Sequence, residues 1–323
     1  MQSTATQSLA RSGFFKSDSP ATAGSHYAGN LQATTRTNKN NSSRNNLQIR
    51  KQWCGNDIPP SLHLLNIRGL MYGGGVKARL LADLASRDNV FVTMLTETHI
   101  DSDVLDSEIL ACIPDFTIFR GDRNGRNCGG VAILAHENLS GEIIESFDNQ
   151  VVQFVVVRVH ALNTVFCCLY RPPDTKFKEF DEALSELNRI ISDFPSPMPT
   201  LVFGGDLNFP QTAIQWECVD HSLVPYVGVN RGERDGEGPK VRAQASKMLE
   251  LMEYHNMAQY VNEVTHGKEI LDILFTNDPD LIHSLCTESF PSFTDNELVS
   301  IRVNYKLFNA TPMKHEFFLD SAE

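Results

Sequence analysis

Residues 201–210 read Leu-Val-Phe-Gly-Gly-Asp-Leu-Asn-Phe-Pro. An apolar run that ends in two glycines is typical of a buried strand reaching the floor of a cleft, because glycine lets a ligand or a second backbone approach closely. Side chains at positions i and i+2 of an extended segment point the same way, so Asp206 and Asn208 are expected to face one site together. A carboxylate and an amide suit a metal ion, a water molecule and a phosphate oxygen, but a turn capped by its own side chains explains the same residues. This stretch alone leaves both interpretations open.

The composition is ordinary for a globular protein. The sequence has 323 residues, 41% hydrophobic and 21% charged, a length that allows one large domain or two small ones. No run approaches the roughly 18 apolar residues of a membrane helix, so no membrane partner is expected. The seven cysteines form no C-x-x-C pair, which favours reduced thiols in an intracellular protein. The net charge of −12 does not settle whether a nucleic acid is the partner, because residues 1–60 are basic and a metal ion can bring an acidic enzyme to a polyanion.

The sequence divides into a polar tail, one folded domain and a short C-terminal tail. Residues 1–60 are rich in Ser, Thr, Asn and Gln without hydrophobic periodicity, so we expect them to be disordered. The domain covers 61–305 and the second tail 306–323. Strands and helices mix in the domain without regular alternation, which predicts an α/β (α+β) fold of two largely antiparallel sheets packed together, with helices outside. Strands are predicted at 62–67, 90–95, 116–119, 131–134, 151–159, 165–170, 201–206, 270–275 and 298–303.

Three helices are predicted from the spacing of apolar residues. Over 76–84 the apolar residues Val76, Leu80 and Leu84 recur at helical spacing. The second helix has the clearest pattern, with one apolar face formed by Phe177, Phe180, Leu184, Leu187 and Ile191. A third helix is expected through 248–252.

Polar residues stand at the ends of several predicted strands. Each alone has a plain explanation, such as a capped turn or a solvated strand end. They occur within motifs that follow one another as LNIRGL, TETHI, GGVAIL, LYRPP, GGDLNFP, LDILFTN and TDNELVSI.

In this order the motifs resemble those of the endonuclease/exonuclease/phosphatase superfamily. Within it the chain is most similar to the endonuclease domain of non-LTR (LINE-type) retrotransposons, over about residues 61–305. The resemblance implies a four-layer α/β sandwich, a divalent metal (Mg²⁺ or Mn²⁺) and hydrolysis of a phosphodiester in DNA. It also implies a monomer that acts in the nucleus, where its DNA target lies.

The resemblance also implies which residues bind the metal and the substrate. Glu97 and Asp295 look like metal ligands, and Asn66 matches an amide beside both the metal and the scissile phosphate. Mg²⁺ binds through one or two carboxylates together with waters and phosphate oxygens, which suits this sparse acidic set. Arg123 and Arg126 are candidates for contacts with the DNA backbone, but a solvated loop is the preferred interpretation of both.

The remaining roles concern the reaction itself. Asp206 looks like the group that orients or deprotonates the attacking water, and Asn208 like an amide that holds the phosphate. Tyr170 resembles a phenol that donates to the phosphate, and Asp272 resembles the carboxylate that orients a catalytic histidine. The family normally carries that histidine where this chain has Asn296. An amide can hydrogen-bond a phosphate, but it neither accepts a proton nor carries positive charge.

The departure at Asn296 weakens the expected activity, because losing a general acid or base typically costs about 10²- to 10⁴-fold in rate. No other histidine lies in a motif that would replace the missing one, and His99 and His283 are the nearest candidates in the sequence. A milder departure is Arg68, which would put a positive charge near the metal side of the site.

Alternatives of other classes remain open. One is a catalytically inactive relic or domesticated domain that binds nucleic acid or protein through the same surface. Another is a phosphatase or phosphodiesterase that acts on lipids or small molecules. The segment 306–323 leaves no room for a reverse transcriptase, so we expect a fragment, a degenerate copy or a host gene derived from a retroelement.

Overall fold

Two β-sheets face each other at the centre of the fold. This computed structural model describes residues 59–123, 125, 128–219, 222–226, 238–289, 294 and 296–304. The predicted tails, 1–60 and 306–323, lie outside the described residues apart from Pro59 and Pro60. Two predicted site residues, Arg126 and Asp295, lie outside them as well.

The described residues form strands, four α-helices and two short 3-10 helices. The strands are β1 (Ser61–Asn66), β2 (Val90–Thr96), β3 (Phe116–Gly121), β4 (Val131–His136), β5 (Gly141–Asp148), β6 (Gln153–Val159), β7 (Thr164–Tyr170), β8 (Thr200–Asp206), β9 (Gln215–Val219), β10 (Ser222–Tyr226), β11 (Ala258–Gln259), β12 (Asp272–Thr276), β13 (Ile282–Ser289) and β14 (Glu297–Val303). The α-helices are α1 (Tyr72–Arg87), α2 (Asp106–Leu110), α3 (Phe177–Ser192) and α4 (Gly238–Tyr254), and the 3-10 helices are Glu137–Leu139 and His160–Leu162.

The strands form one six-stranded and one eight-stranded sheet. Their spatial orders are β13-β14-β1-β2-β4-β3 and β5-β6-β7-β8-β12-β11-β10-β9. Only the pairs β1/β2 and β7/β8 are parallel among these neighbours, and all the others are antiparallel. In each parallel pair the carboxyl ends lie side by side. The last residues of β1 and β2 are therefore neighbours, and so are those of β7 and β8.

Apolar side chains fill three separate layers between these elements. The inner layer lies between the sheets and joins residues such as Leu64 and Met94 of the first sheet to Val155 and Phe166 of the second. One outer layer lies under α1 and α2 against the first sheet, and the other lies under α3 and α4 against the second. The order helix, sheet, sheet, helix confirms the predicted four-layer sandwich.

Helix α3 follows its sequence pattern. Phe180, Leu184, Leu187 and Ile191 are buried, as their spacing predicts. At its N-terminus the backbone N–H of Lys176 donates to the Glu179 carboxylate over 2.9 Å, which satisfies a donor left open by the first turn. The first residue of the predicted apolar face, Phe177, is instead 42% exposed, because it lies at the end of the helix beyond the sheet.

Helix α1 shows where apolar spacing alone misleads. The helix is present, but of the three residues that predicted it only Leu84 is buried, while Val76 is 48% and Leu80 44% exposed. The buried face carries Leu81 and the small residues Ala78 and Ala85, which let the helix lie close to the sheet. None of the helices that the structure describes is long and apolar enough to cross a membrane.

Candidate active site

The polar residues at the strand ends line one cleft of about 240 Å³. Asn66 is the last residue of β1, Glu97 follows β2 and Asp206 ends β8, so the parallel pairs bring them to the same end of the sandwich. Strands β12 and β14 run in the opposite direction and begin at this end. The residues that line the cleft are Asn66, Arg68, Glu97, Asp206, Asn208, His266, Leu271 and Asn296.

The amide of Asn66 joins the two sheets at the cleft. Its Nδ2 donates to Oε1 of Glu97 over 3.0 Å and to Oδ2 of Asp206 over 2.7 Å. Its side-chain Oδ1 accepts a hydrogen bond from the backbone N–H of Arg68 over 3.2 Å. Its backbone carbonyl oxygen accepts one from the Thr294 hydroxyl over 2.9 Å. A single NH₂ group thus uses both of its hydrogens on carboxylates that belong to different sheets.

Glu97 remains ionised despite being largely buried. Burial alone would raise the pKa of its carboxyl, but hydrogen bonds from His99, Asn66 and Tyr170 hold that pKa below the usual value. The His99 Nε2 lies 3.3 Å from Oε2 of Glu97, and its Nδ1 lies 3.0 Å from the Tyr72 hydroxyl. His99 therefore belongs to the site, on the side of the first sheet.

Asp206 is held in a strongly buried position, with 2% of its surface exposed. Burial raises its pKa well above the usual value, and repulsion from Asp272 and Glu97 adds to this effect, while the hydrogen bond from Asn66 opposes it. Its Oδ1 accepts the backbone N–H of Asn208 over 3.1 Å, which is the self-capped turn that the sequence suggested as an alternative. The turn and the site are therefore both present, because the same carboxylate uses its other oxygen toward Asn66.

The glycine before Asp206 is required by strand packing. Gly205 has φ +153°, and a Cβ added there would collide with the carbonyl oxygen of Leu169 on the parallel strand β7. The close approach of these two strands sets the position of Asp206 beside Tyr170, its register partner.

Tyr170 presents a neutral phenol behind the carboxylates. Burial raises the pKa of its hydroxyl strongly, and the negative charges of Glu97 and Asp206 raise it further. The group therefore keeps its proton at neutral pH and hydrogen-bonds to Glu97. A protonated phenol is a hydrogen-bond donor, as the predicted role requires.

Arg171 is a structural residue of the site that the sequence analysis left without a role. It is fully buried, and its Nη1 donates to the carbonyl oxygens of Leu207 over 3.0 Å and Asn208 over 3.2 Å. Its Nε and Nη2 both donate to Oε1 of Gln244 in α4, over 2.8 and 2.6 Å. Burial lowers the pKa of Arg171 to about 10, so the guanidinium stays charged at neutral pH. The signal in the sequence was an arginine directly after an apolar strand, in the motif LYRPP.

The backbone around Asn208 is fixed by this arginine. Asn208 has φ +48°, in the left-handed region, and its Nδ2 donates to the Arg171 carbonyl oxygen over 3.0 Å. Arg68, Glu97 and His99 also have positive φ values, between 44° and 54°. Non-glycine residues rarely adopt this conformation, and such residues cluster at functional sites.

Asp272 and Asn296 form a buried pair at the back of the cleft. Asn296 Nδ2 donates to Oδ2 of Asp272 over 3.0 Å, and the backbone N–H of Asp272 donates to the Thr265 hydroxyl over 3.0 Å. Burial raises the pKa of Asp272 to about 6, although the hydrogen bonds from Asn296 and Thr265 oppose the change. Asn296 is therefore hydrogen-bonded to Asp272, the carboxylate that by resemblance would orient a histidine at position 296.

Some predicted residues are not placed at the cleft. Asp295 and Arg126 lie outside the described residues. Arg123 does not line the cleft, and its Nη2 lies 3.9 Å from Oδ2 of Asp101. His283 is exposed on β13, away from the cleft lining, whereas His266, which no motif singled out, lines the cleft.

The chemistry of the donor set fits a hard divalent cation. Oxygen atoms of Glu97 and Asp206 both lie within hydrogen-bonding distance of the Asn66 amide nitrogen. Burial raises the pKa of Asp206, and repulsion from the Asp272 and Glu97 carboxylates raises it further. A cation that prefers carboxylate and amide oxygens would relieve this repulsion. Within the described residues, from which Asp295 is missing, no group of three His, Cys, Asp or Glu side chains is arranged around a metal position.

Comparison with known families gives one match. A family model described as endonuclease-reverse transcriptase matches residues 164–296. This range contains β7, β8 and β12 and therefore Tyr170, Asp206 and Asp272. No curated protein matches the chain.

Solved structures resemble the chain over most of its length. The endonuclease domain of TRAS1, a telomere-specific non-LTR retrotransposon, is 15% identical with a TM-score of 0.49, covering 77% of this chain and 99% of that one. An AP endonuclease from Archaeoglobus fulgidus is 11% identical with a TM-score of 0.51, covering 76% and 99%. The AP endonuclease LMAP from Leishmania major is 10% identical with a TM-score of 0.53, covering 81% and 97%.

The last two likenesses show a shared fold, and they agree with the family match in the second half of the chain. The resemblance expected from the motifs is confirmed at the level of the fold, which this chain shares with the two AP endonucleases, and by the match of residues 164–296 to the endonuclease-reverse transcriptase family model.

Proposed function

We propose that this chain is a metal-dependent DNA endonuclease domain of the retrotransposon type, with activity reduced by Asn296. The observation that carries the proposal is the Asn66 amide, which holds Glu97 and Asp206 of opposite sheets in one cleft in front of the neutral phenol of Tyr170. The family description and the shared fold support phosphodiester hydrolysis as the reaction class.

Mg²⁺ or Mn²⁺ would be held by Glu97 and by Oδ1 of Asn66, with Asp295 as a further ligand by resemblance. Bound there, the cation supplies positive charge beside the phosphoryl oxygens and the leaving group. The protein contributes the ionised state of Glu97, which its hydrogen bonds maintain at neutral pH.

Asp206 is the group that receives a proton from the attacking water. The water oxygen forms a bond to phosphorus, the bond from phosphorus to the leaving oxygen breaks, and that oxygen takes a proton from solvent. A carboxylate with a raised pKa is a stronger base than an ordinary one, and burial gives Asp206 that property. The hydrogen bond from Asn66 fixes the direction of its Oδ2.

Tyr170 and Asn208 orient the phosphate. The phenol keeps its proton and can donate to a phosphate oxygen. Asn208 uses one amide hydrogen on the Arg171 carbonyl and has the second for the substrate, and its backbone is fixed by the Arg171 guanidinium. The proposal further assigns a nuclear location and action as a monomer.

The test is nicking of supercoiled plasmid with Mg²⁺ by the parent chain, Glu97→Ala and Asn296→His. We expect slow nicking by the parent, none by Glu97→Ala, and faster nicking by Asn296→His. Nicking that survives in Glu97→Ala equally would point to a contaminating nuclease and contradict the proposal.

A second candidate is a catalytically inactive domain that binds nucleic acid. The observation that favours it is the hydrogen bond between Asn296 and Asp272, which satisfies the pair without a group that can transfer a proton. Plasmid that remains intact with all three proteins, together with retained binding to duplex DNA, would establish this candidate instead.

A further inference from the structure

The imidazole of His266 lines the same cleft as Asp206, Asn208 and Asn296. A tight hairpin holds it there, since its backbone N–H donates to the Glu269 carbonyl over 3.1 Å and the Glu269 N–H donates back over 2.9 Å. Gly267, at φ +60°, makes the reversal possible. The residue before it, Thr265, carries the hydroxyl that accepts from the backbone N–H of Asp272. The hairpin is thus attached to the same strand end that carries the predicted histidine-orienting carboxylate.

Two polar atoms at this end of the cleft lack protein partners. Nδ1 of His266 is buried and has no hydrogen-bond partner. Oδ1 of Asp272 is also buried without a partner, whereas Oδ2 of Asp272 accepts the hydrogen bond from Asn296. Buried polar groups in native proteins nearly always have a partner, and an exception at a functional site often indicates a missing ligand. The missing histidine at position 296 and the unpaired histidine at 266 therefore lie beside the same carboxylate.

We propose that His266 supplies the imidazole that position 296 lacks, by donating a hydrogen bond to the scissile phosphate of DNA. The inference rests on the proposed endonuclease function and names a catalytic residue for it. The ring lies near Asp272, because a positive charge on His266 would act to lower the pKa of the Asp272 carboxyl. An imidazole N–H donates a hydrogen bond to a phosphate oxygen, and an imidazole ring, unlike an amide, can also accept and release a proton.

Three other histidines contact partners of their own. His99 contacts Glu97 and Tyr72 on the side of the first sheet, His160 pairs with Glu142, and His255 pairs with Asn188. Among the described residues that line the cleft, His266 is the only histidine.

The experiment compares nicking by the parent, His266→Ala, Asn296→His and the double variant, with Mg²⁺ and supercoiled plasmid. His160→Ala is the matched control, because His160 is half-exposed and paired with Glu142 far from the cleft. We expect His266→Ala to nick about 100-fold more slowly than the parent and His160→Ala to equal the parent. The double variant should recover most of the loss, because a histidine at 296 would restore an imidazole beside Asp272.

Binding of a duplex oligonucleotide with Ca²⁺ in place of Mg²⁺ provides the second measurement. We expect about tenfold weaker binding by His266→Ala, as for a lost hydrogen bond to a charged group. His266→Gln keeps a hydrogen-bond donor, so its affinity for the duplex should lie between those of the parent and His266→Ala. It replaces His266→Ala in the comparison if His266→Ala melts at a lower temperature than His160→Ala.

The outcomes separate this inference from the function on which it rests. An active parent whose His266 variants nick and bind like His160→Ala would overturn the role of His266 and leave the endonuclease proposal standing. A parent that nicks no faster than Glu97→Ala would overturn both. Loss of nicking in His266→Ala that Asn296→His does not recover would show that the two positions are not equivalent and contradict the inference.

Discussion

At the scale of the residue, the buried charge of Arg171 holds the backbone of the Asn208 turn in place. Its guanidinium is fully buried, donates to two carbonyl oxygens and one amide oxygen, and lies 4.4 Å from the centre of the Phe209 ring. Lysine offers a point charge in place of a planar fork and cannot make these contacts together. The residue therefore fixes the turn that carries Asn208 and connects it to α4.

We expect Arg171→Lys to lower the free energy of unfolding by about 2–4 kcal/mol, because buried acceptors on Asn208 or Gln244 lose their donors. Nicking should fall with it, since the Asn208 turn loses its support. Urea unfolding measures the first effect and plasmid nicking the second. Arg189→Lys is the control: Arg189 is exposed on α3 and pairs with Glu186, so the free energy of unfolding of this variant should stay close to that of the parent. Equal stability of the two variants would contradict the role assigned to Arg171.

Asp272 gives a second prediction, for stability as a function of pH. Its folded pKa of about 6 lies above the ordinary 3.8, so the folded state holds the proton more tightly than the unfolded chain. The stabilisation is complete below pH 3.8 and is lost as the pH rises through 6, which amounts to about 3 kcal/mol.

Comparing unfolding of the parent and Asp272→Asn between pH 4 and 7, with EDTA present, isolates this effect. We expect the variant to gain stability relative to the parent as the pH rises, because it has no charge to bury. Asp206 acts in the same direction, since removing Asp272 also relieves the repulsion that raises its pKa. A constant difference across this range would contradict the raised pKa.

At the scale of the element, the parallel pair β7/β8 positions Tyr170 and Asp206, the two side chains for which we propose roles in the reaction. The strands approach so closely at Gly205 that a Cβ would meet the Leu169 carbonyl. Gly205→Ala should therefore destabilise the fold by at least about 2 kcal/mol, from the collision and from the positive φ together.

Gly74→Ala is a matched control, because Gly74 also has a positive φ but its Cβ would meet nothing within 4 Å. Thermal melting of both variants compares a positive-φ site with open space around the added Cβ to a positive-φ site where the Cβ would meet the Leu169 carbonyl. Equal melting temperatures would mean that β7 moves away at little cost.

The elements also show the limits of prediction from sequence. The strand ends and their order followed from short motifs, since each motif couples an apolar run to a polar residue. The buried face of α1 did not, because Ala78 and Ala85 pack closely without a strong apolar signal while Val76 and Leu80 remain half-exposed. The place of His266 depended on a hairpin that folds over the end of β12, which no local pattern connects to Asn296.

At the scale of the whole molecule, the site exists only where the two sheets meet. Asn66 and Asp206 are 140 positions apart in the chain, and their hydrogen bond follows from the packing of the sandwich. Sequence motifs therefore identified the participants, and only the fold showed which atoms touch. Asp295 and Arg126 stay predictions.

A metal bound at this end should stabilise the entire domain, because a ligand that binds only the folded state shifts the unfolding equilibrium. At a Mg²⁺ concentration about 100 times its dissociation constant the gain is about 2.7 kcal/mol. We expect the melting temperature of the parent to rise with Mg²⁺ and that of Glu97→Ala to stay unchanged. A rise of equal size in both proteins would place the binding elsewhere.

The Asn66 amide also determines how such a domain responds to mutations away from the cleft. Its two amide hydrogens bind carboxylates on opposite sheets, so both hydrogen bonds depend on how the sheets are aligned. A small shift of one sheet against the other would lengthen at least one of them. Mutations deep between the sheets can therefore silence the reaction while every reactive side chain is still encoded and the protein still folds. In a copy that accumulates mutations, the substitution that abolishes activity can therefore lie in the core between the sheets, away from the cleft.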